Sequence, residues 1–172
     1  VNMPFHYNAT GTTDLGVNAQ LTARQYQLVY DRIKSHNNNA NIYISLDHSW
    51  THDDEGRGIA GKAFIEEFAK RVGREDWCVA YHPYAPIMTN AKVWEEDHQN
   101  KSINTEFISS YNIEILTDFL KNNYGANHKV LLSEVGFTRA GGQDDSQAAS
   151  LAYTYYKAEF NDMITGVIFR SL

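Results

Sequence analysis

"LLSEVGFT", residues 131–138, reads as a buried strand that ends on an acid. Two leucines and a serine lead into Glu134, and a glycine follows at Gly136. A glutamate is seldom fully buried unless it is paired. The stretch therefore predicts a strand that delivers one carboxylate at its C-terminal end, where Glu134 either neutralises a cation or is held at the mouth of a site.

Four apolar runs in the chain predict strands. They are rich in Ile, Val, Leu and Tyr and lack strict alternation, which is typical of strands covered on both faces of a parallel sheet. The predicted strands are residues 41–46, 77–81, 129–133 and 165–169.

Helical patterns alternate with these strands. Apolar residues recur at helical spacing in residues 22–35, 60–72, 109–124 and 146–160. Thr22 is the predicted N-cap of the first helix, Tyr26, Val29, Tyr30 and Ile33 form its apolar face, and Ala149, Ala152, Tyr153, Tyr156 and Phe160 form that of the last. Alternation of helix and strand indicates an α/β fold with right-handed crossovers around a parallel sheet.

Length, net charge and composition exclude several classes of function. The 172 residues suit a single domain with a sizeable core. The net charge is −6 and no lysine or arginine cluster is present, so neither nucleic acid nor an anionic membrane surface is an expected partner. No apolar run approaches the ~20 residues that span a bilayer, and the N-terminus shows no signal peptide.

Polar and aromatic side chains follow each predicted strand. Because the carboxyl ends of parallel strands meet at one edge of the sheet, these side chains are expected to share one mouth. The candidates are Asp47, His48 and Trp50 after the first strand, His82 and Tyr84 after the second, Glu134 after the third and Arg170 after the fourth, with Trp94 in the long loop over residues 82–104.

Five of these candidates also have a structural interpretation, and the sequence leaves both open. Glu134 would then be an ion-pair partner of Arg170 or Arg139. The others would serve packing or loop geometry: His82 in the core, Trp50 and Trp94 as caps on the sheet, and Asp47 as an acceptor of backbone hydrogen bonds.

A metal or nucleotide cofactor is not expected. His48, His52, Asp53, His82 and His98 are residue types that bind zinc, but His48 and His52 lie in a loop and do not match the His-Glu-x-x-His pattern. A Rossmann-like open sheet is the alternative fold, but no Gly-x-Gly-x-x-Gly turn supports a nucleotide site.

Several stretches together resemble a known family. "YISLDHSW", "WCVAYHPYAPIM", "VLLSEVGFT", "QAASLAYTYYKAEF" and "ITGVIFR" are similar to a bacterial family of TIM-barrel proteins, long catalogued as a domain of unknown function and related to the retaining clan A of glycoside hydrolases. The resemblance implies that Glu134 is the nucleophile on the seventh strand. It also implies an acid/base glutamate at the end of the fourth strand, just upstream of Val1, and a secreted or cell-surface protein.

By this resemblance, residues 1–172 are the C-terminal half of a (β/α)8 barrel, carrying strands five to eight. The expected ligand is a polysaccharide or oligosaccharide. Tyr84, Trp50 and Trp94 would be the sugar platforms, and Asp47, His48, His82 and Arg170 would line the cleft. Self-association or a missing N-terminal half would complete the barrel. The alternative function is a carbohydrate-binding or structural pseudoenzyme.

Overall fold

The computed structural model describes residues 1–4, 10–53 and 55–170. These residues form one four-stranded sheet, in the order β1-β2-β3-β4 with every neighbouring pair parallel. The predicted α/β class with four parallel strands is confirmed. The elements are α1 (Leu15–Lys34), β1 (Tyr43–Leu46), α2 (Gly61–Val72), β2 (Cys78–Tyr81), α3 (Glu114–Asn123), β3 (Val130–Val135), α4 (Asp144–Glu159) and β4 (Ile164–Phe169), with a short 3-10 helix (Ser110–Asn112) before α3.

One hydrophobic core joins the sheet to its helices. Alternate strand residues are fully or nearly fully buried and belong to one cluster with the apolar faces of α2 and α3. The residues between them on the strands are only half-buried. The buried set includes Ile44, Leu46, Val79, Val130 and Leu132 from the strands and Phe64, Phe68, Leu116 and Leu120 from the helices. The sheet therefore has one face covered by helices.

The sheet is strongly curved. Tyr43 on β1 and Thr165 on β4 belong to the two edge strands, yet their hydroxyl oxygens lie 3.2 Å apart. In a flat sheet these strands would be separated by three spacings, about 14 Å. A tyrosine and a threonine side chain cannot span that distance across a flat surface. The strands therefore curl into a concave surface that brings its two edges toward each other.

A bulge lies in β3 at the acid. Leu132 pairs with Val167 and Val135 pairs with Phe169, so β3 carries one more residue than β4 over this interval. In a regular strand, Glu134 would point to the same side as Leu132, which is buried in the core. The bulge changes the direction in which the side chain points. Glu134 remains half-buried instead of entering the apolar core.

Helix α1 begins earlier than predicted. Asp14 is its N-cap and accepts a hydrogen bond from the amide of Val17 at 2.7 Å, whereas Thr22 is buried inside the helix. The predicted apolar face is also partly wrong: Ala19, Ala23 and Tyr26 are buried, while Val29 and Ile33 are exposed. The small side chains of Ala19 and Ala23 allow α1 to pack closely against the rest of the fold. The larger side chains of Val29 and Ile33, further along the helix, lie outside this contact.

The predicted face of α4 is mostly wrong as well, since of its five residues only Tyr153 packs against the core. Tyr156 and Phe160 are 62% and 73% exposed, whereas Ser150 and Thr154 are fully buried. Ser150 accepts a hydrogen bond from the amide of Val93 and donates one to the carbonyl of Ala91. The helix thus uses a hydroxyl to satisfy the backbone of the long loop after β2.

Gly61 fixes the contact between α2 and the loop after β1. Its amide donates to the carbonyl of Ser49 at 2.9 Å, and a Cβ at this position would lie 2.8 Å from the same oxygen. We expect Gly61→Ala to lower the free energy of unfolding by about 1–3 kcal/mol, because backbone must move to admit the methyl group. Urea unfolding measures the change.

Gly16→Ala is the matched control. Gly16 lies in the first turn of α1, and the nearest atom to a Cβ there is Asp14 Oδ1 at 3.4 Å. Alanine is the better helix former, so this variant should equal the wild type or gain up to about 1 kcal/mol. Equal stability of Gly61→Ala and the wild type would contradict the close approach.

Candidate active site

Glu134 is the centre of a polar cluster at the carboxyl edge of the sheet. Its Oε2 accepts a hydrogen bond from the Tyr84 hydroxyl at 2.9 Å and another from Arg170 Nη1 at 3.0 Å. His82 Nε2 lies 4.0 Å from the other oxygen, Oε1. The structure thus brings together four of the residues selected from the sequence, one pair from the loop after β2 and one residue each from β3 and the end of β4.

Backbone pairing positions these side chains. The amide of Arg170 donates to the carbonyl of Val135 at 2.7 Å and extends the β3–β4 ladder by one residue. The amide of His82 donates to Leu46 at 3.0 Å and does the same for β1 and β2. A turn then brings Tyr84 back, since its amide donates to the carbonyl of His82. Groups held at strand ends are placed more rigidly than groups on free loops.

The surroundings of Glu134 favour its ionised form. Partial burial alone would raise the pKa of Glu134, but the hydrogen bonds from Tyr84 and Arg170 and the positive charge of Arg170 outweigh it, so the pKa lies below its usual value. Burial, and then the bond to Glu134, raise the pKa of Tyr84, which therefore stays a neutral donor. At neutral pH the site holds a carboxylate.

His82 is a neutral neighbour of this carboxylate. Burial lowers the pKa of His82, and the charges of Glu134 and Asp47 only partly oppose that change. Its Nε2 lies 3.2 Å from the hydroxyl of Ser45, whereas 4.0 Å to Glu134 is too long for a hydrogen bond. Of the two residues from the loop after β2, Tyr84 therefore makes the hydrogen bond to Glu134 and His82 does not.

Asp47 organises the loop after β1. Its Oδ1 accepts from the side-chain amide of Asn2 at 2.7 Å and from the amide of Ser49 at 3.1 Å. Asn2 is fully buried and its Oδ1 accepts from the amide of Asp47 in return. This is the loop-fixing role that the sequence left open for Asp47, and these bonds tie residues 1–2 to the end of β1.

The two predicted tryptophan platforms differ in exposure. Trp50 is fully buried, donates to the carbonyl of Ile103 at 2.9 Å and packs edge-on against Phe119. The expectation that Trp50 offers an open face to a sugar is therefore wrong, because its indole fills the core between the loop and α3. Trp94 is 40% exposed in the long loop, and within the described residues it makes no hydrogen bond or ring contact with Glu134 or Tyr84.

Phe107 is a residue that sequence reasoning missed. An antiparallel bridge between Ser49 and Phe107 joins the loops that follow β1 and β2. The rings of His48 and His52 each lie 4.9 Å from the Phe107 ring, and that of His98 lies 6.4 Å away. The cluster forms because Ser49 and Phe107, which are nearly sixty residues apart in the chain, pair with each other. No local sequence pattern therefore predicts it.

The histidines considered as zinc ligands do not converge on one point. His48, His52 and His98 surround Phe107, and His82 lies beside Ser45 and Glu134. Across residues 1–4, 10–53 and 55–170, no group of three or more His, Cys, Asp or Glu side chains could hold a metal ion. In the same residues, no helix is both long and apolar enough to cross a bilayer.

A cavity of about 730 Å³ lies at the other end of the sheet. It lies near the C-terminal ends of α2 and α3 and is lined by Arg74, Trp77, Tyr124 and His128 among others. These residues precede β2 and β3, whereas Glu134 lies at the carboxyl ends of the strands. Parallel α/β proteins bind ligands at the carboxyl ends of their strands, so the polar cluster around Glu134 is a better candidate site than this cavity.

Fold and site define an α/β protein that holds one carboxylate between a tyrosine and an arginine at the carboxyl edge of a parallel sheet. All of residues 1–172 match the model of a family described as a family of unknown function, DUF5722, and the chain belongs to that family. Comparison with curated proteins and with solved structures gave no match.

Removing the tyrosine donor should raise the pKa of Glu134. Tyr84→Phe deletes the hydrogen bond to Oε2 and leaves the ring in place. Carboxyl titration by NMR with labelled glutamate should show the pKa of Glu134 moving up toward the ordinary ~4.3. Tyr111→Phe is the control, because Tyr111 donates to a different glutamate, Glu96.

The same variant should show a defined pH dependence of stability. A carboxyl group with a lowered pKa stabilises the fold above its unfolded-state pKa, and this contribution is lost as the pH falls through the folded-state value. The difference in the free energy of unfolding between the wild type and Tyr84→Phe should therefore become smaller as the pH falls below about 4. A pKa of Glu134 that is equal in both proteins would contradict the assignment.

Proposed function

We propose that this chain is the C-terminal half of a (β/α)8 barrel and carries the nucleophile of a retaining glycoside hydrolase. The observation that carries the proposal is the ionised Glu134, held by Tyr84 and Arg170 at the carboxyl edge of a curved parallel sheet. The resemblance of the strand-end stretches to clan A glycosidases supports the same role. The substrate class is a polysaccharide or oligosaccharide.

The hydrogen bonds of Glu134 leave its Oε1 as the oxygen that could attack a sugar. Both strong donors contact Oε2, whereas the polar side chain nearest to Oε1 among the described residues is His82, at 4.0 Å. In retaining hydrolysis a carboxylate oxygen bonds to the anomeric carbon while the glycosidic bond breaks and the leaving oxygen takes a proton from an acid. Water then cleaves the glycosyl–enzyme ester. In the proposed mechanism, Tyr84 and Arg170 orient the carboxylate and Oε1 attacks.

Retention requires a second carboxyl group about 5–5.5 Å from the first. The N-terminal amine of Val1 donates to the carbonyl of Ser45 at 2.7 Å, on the open edge of β1. A residue that precedes Val1 in a longer protein would thus lie near the carboxyl end of a strand beside β1. We propose that a glutamate at that point is the acid/base residue.

Two features of the sheet support the barrel. It is concave, and its β4 edge is apolar and open, with Ile168 53% and Phe169 46% exposed. Such an edge invites pairing with a further strand. We assign that strand to an N-terminal half-barrel, with self-association of this chain as the other way to cover both edges.

A pseudoenzyme that binds carbohydrate is the rival function. It would keep the cleft at the strand ends but lack a competent pair of carboxyl groups. The identity of the residue before Val1 separates the two, since only the enzyme needs an acid there.

Glu134→Gln is the decisive substitution. In the longer protein that includes the strand before Val1, it should lower polysaccharide hydrolysis by more than about 10⁴-fold, the scale on which a catalytic unit fails when its nucleophile is removed. The melting temperature should fall by no more than about a few degrees, because glutamine keeps the shape of the side chain and the lost charge pairs with an exposed arginine. Reducing-sugar release and thermal unfolding are measured on the same sample.

Glu67→Gln is the matched control. Glu67 also pairs with cations, Lys70 and Arg71, but it lies on α2 away from the strand ends. This variant should keep full turnover. If Glu134 were only a structural partner of Arg170, its variant would hydrolyse substrate normally whatever its melting temperature, and the proposal would fail.

The 172-residue chain by itself should be close to inactive. A nucleophile without a placed acid cannot protonate the leaving oxygen, and general acid assistance is typically worth ~10²–10⁴-fold. Comparing turnover of the chain with that of the longer protein tests this point. Equal activity of the two would mean that the acid lies within residues 1–172.

A further inference from the structure

Two loops meet beside the site and present an aromatic surface. We call this surface the Phe107 platform: Phe107 with His48, His52 and His98. Phe107 is half-buried, its ring contacts those of His48 and His52 at 4.9 Å, and His98 approaches it edge-on at 6.4 Å. The mechanism proposed above uses none of these rings.

The backbone holds the platform rigidly. The amide of Ile108 donates to the carbonyl of His48 at 2.9 Å, and the amide of Trp50 donates to that of Glu106 at 2.8 Å. His98 has a φ of 57°, a left-handed conformation that is uncommon outside glycine. Its Nδ1 lies 2.8 Å from Glu106 Oε2, which fixes the ring near Phe107. Backbone strain of this kind is concentrated at functional sites.

The platform is linked to Glu134 through Tyr84. His48 Nδ1 lies 3.1 Å from the carbonyl of Tyr84, and the His48 ring stands edge-on to both Tyr84 and Phe107. The Tyr84 hydroxyl in turn donates to Glu134. A ligand held over Phe107 would therefore extend toward the carboxylate along the loops that follow β1 and β2.

The chemistry of the platform suits a sugar ring. An aromatic face packs against the C–H face of a pyranose, and imidazole nitrogens beside it can bond to ring hydroxyls. His98 is well placed for this, because its side chain is 60% exposed and its Nε2 makes no hydrogen bond within the described residues. Trp50, the aromatic residue expected to serve this purpose, is buried.

The charge around the platform selects against acidic sugars. Residues 47–59 and 82–109, which contain both loops, carry eight acidic and three basic residues. A uronic acid would meet a repulsive potential there, whereas a neutral sugar would not. Glu106, bonded to His98, adds a carboxylate directly at the platform.

We propose that the Phe107 platform is a subsite for a neutral pyranose of a polysaccharide, next to the sugar that reacts at Glu134. The subsite rests on the proposed function for its place in the reaction, but it binds carbohydrate whether or not Glu134 is a nucleophile. It also names the class of substrate, a neutral polysaccharide.

Affinity electrophoresis of the 172-residue chain tests the subsite without any turnover. The gels contain neutral polysaccharides (β-glucan, xyloglucan, galactomannan) or anionic ones (polygalacturonate, alginate). At least one neutral polymer should retard the chain, and the anionic polymers should not. Phe107→Ala and Phe107→Leu should each weaken that binding about tenfold, because both remove the aromatic face. Phe107→Tyr should keep it.

Two controls make the outcome decisive. Phe107→Leu keeps an apolar side chain between the loops, so its melting temperature should match the wild type even if the alanine variant unfolds. Phe160→Ala removes an exposed phenylalanine at the far end of α4 and should bind like the wild type. Wild-type binding by Phe107→Leu, no retardation by any neutral polymer, or retardation only by the anionic ones would each overturn the subsite.

These results are independent of the test of Glu134. Retained hydrolysis by Glu134→Gln in the longer protein would end the proposed function and leave the binding data standing. Loss of hydrolysis in that variant together with normal binding by Phe107→Leu would end the subsite alone.

Discussion

The pairing of β3 with β4 is the interaction on which the site depends. Their ladder contains the bulge that directs Glu134 away from the core, and its last bond, from the amide of Arg170 to the carbonyl of Val135, places the guanidinium beside the carboxylate. A slip of one residue would exchange the two faces of the strand. The carboxylate would then face the helices, where an ionised group is costly to bury.

Two separate parts of the fold supply the groups that lower the pKa of Glu134. Arg170 comes from the sheet itself, and Tyr84 comes from the loop after β2. That loop is fixed in turn to the loop after β1, through the bridge between Ser49 and Phe107. Sheet and loops thus converge on Oε2, and this explains how a half-buried acid has a pKa below its usual value.

The order of strands and helices could be predicted from the sequence because apolar runs and helical spacing are local signals. The partners of Glu134 were also anticipated, since parallel strands end at one edge. The burial of a side chain could not be predicted from the sequence where it depends on contacts with residues far away in the chain. Ser150 is buried because it bonds to the loop at Ala91, and Trp50 because Ile103 accepts its N–H. Tyr156 is exposed for the opposite reason, as no described element covers its side of α4.

Chemical trapping of the nucleophile tests the central claim most directly. A 2-deoxy-2-fluoro glycosyl fluoride of the sugar that the proposed complete barrel would hydrolyse should slow release of the covalent intermediate, because the fluorine disfavours the oxocarbenium-like transition state. Peptide mass spectrometry of the treated protein should then find one glycosyl adduct, an ester on Glu134 formed as fluoride leaves. An adduct on another carboxylate, or hydrolysis without any adduct and with inversion at the anomeric carbon, would contradict the account.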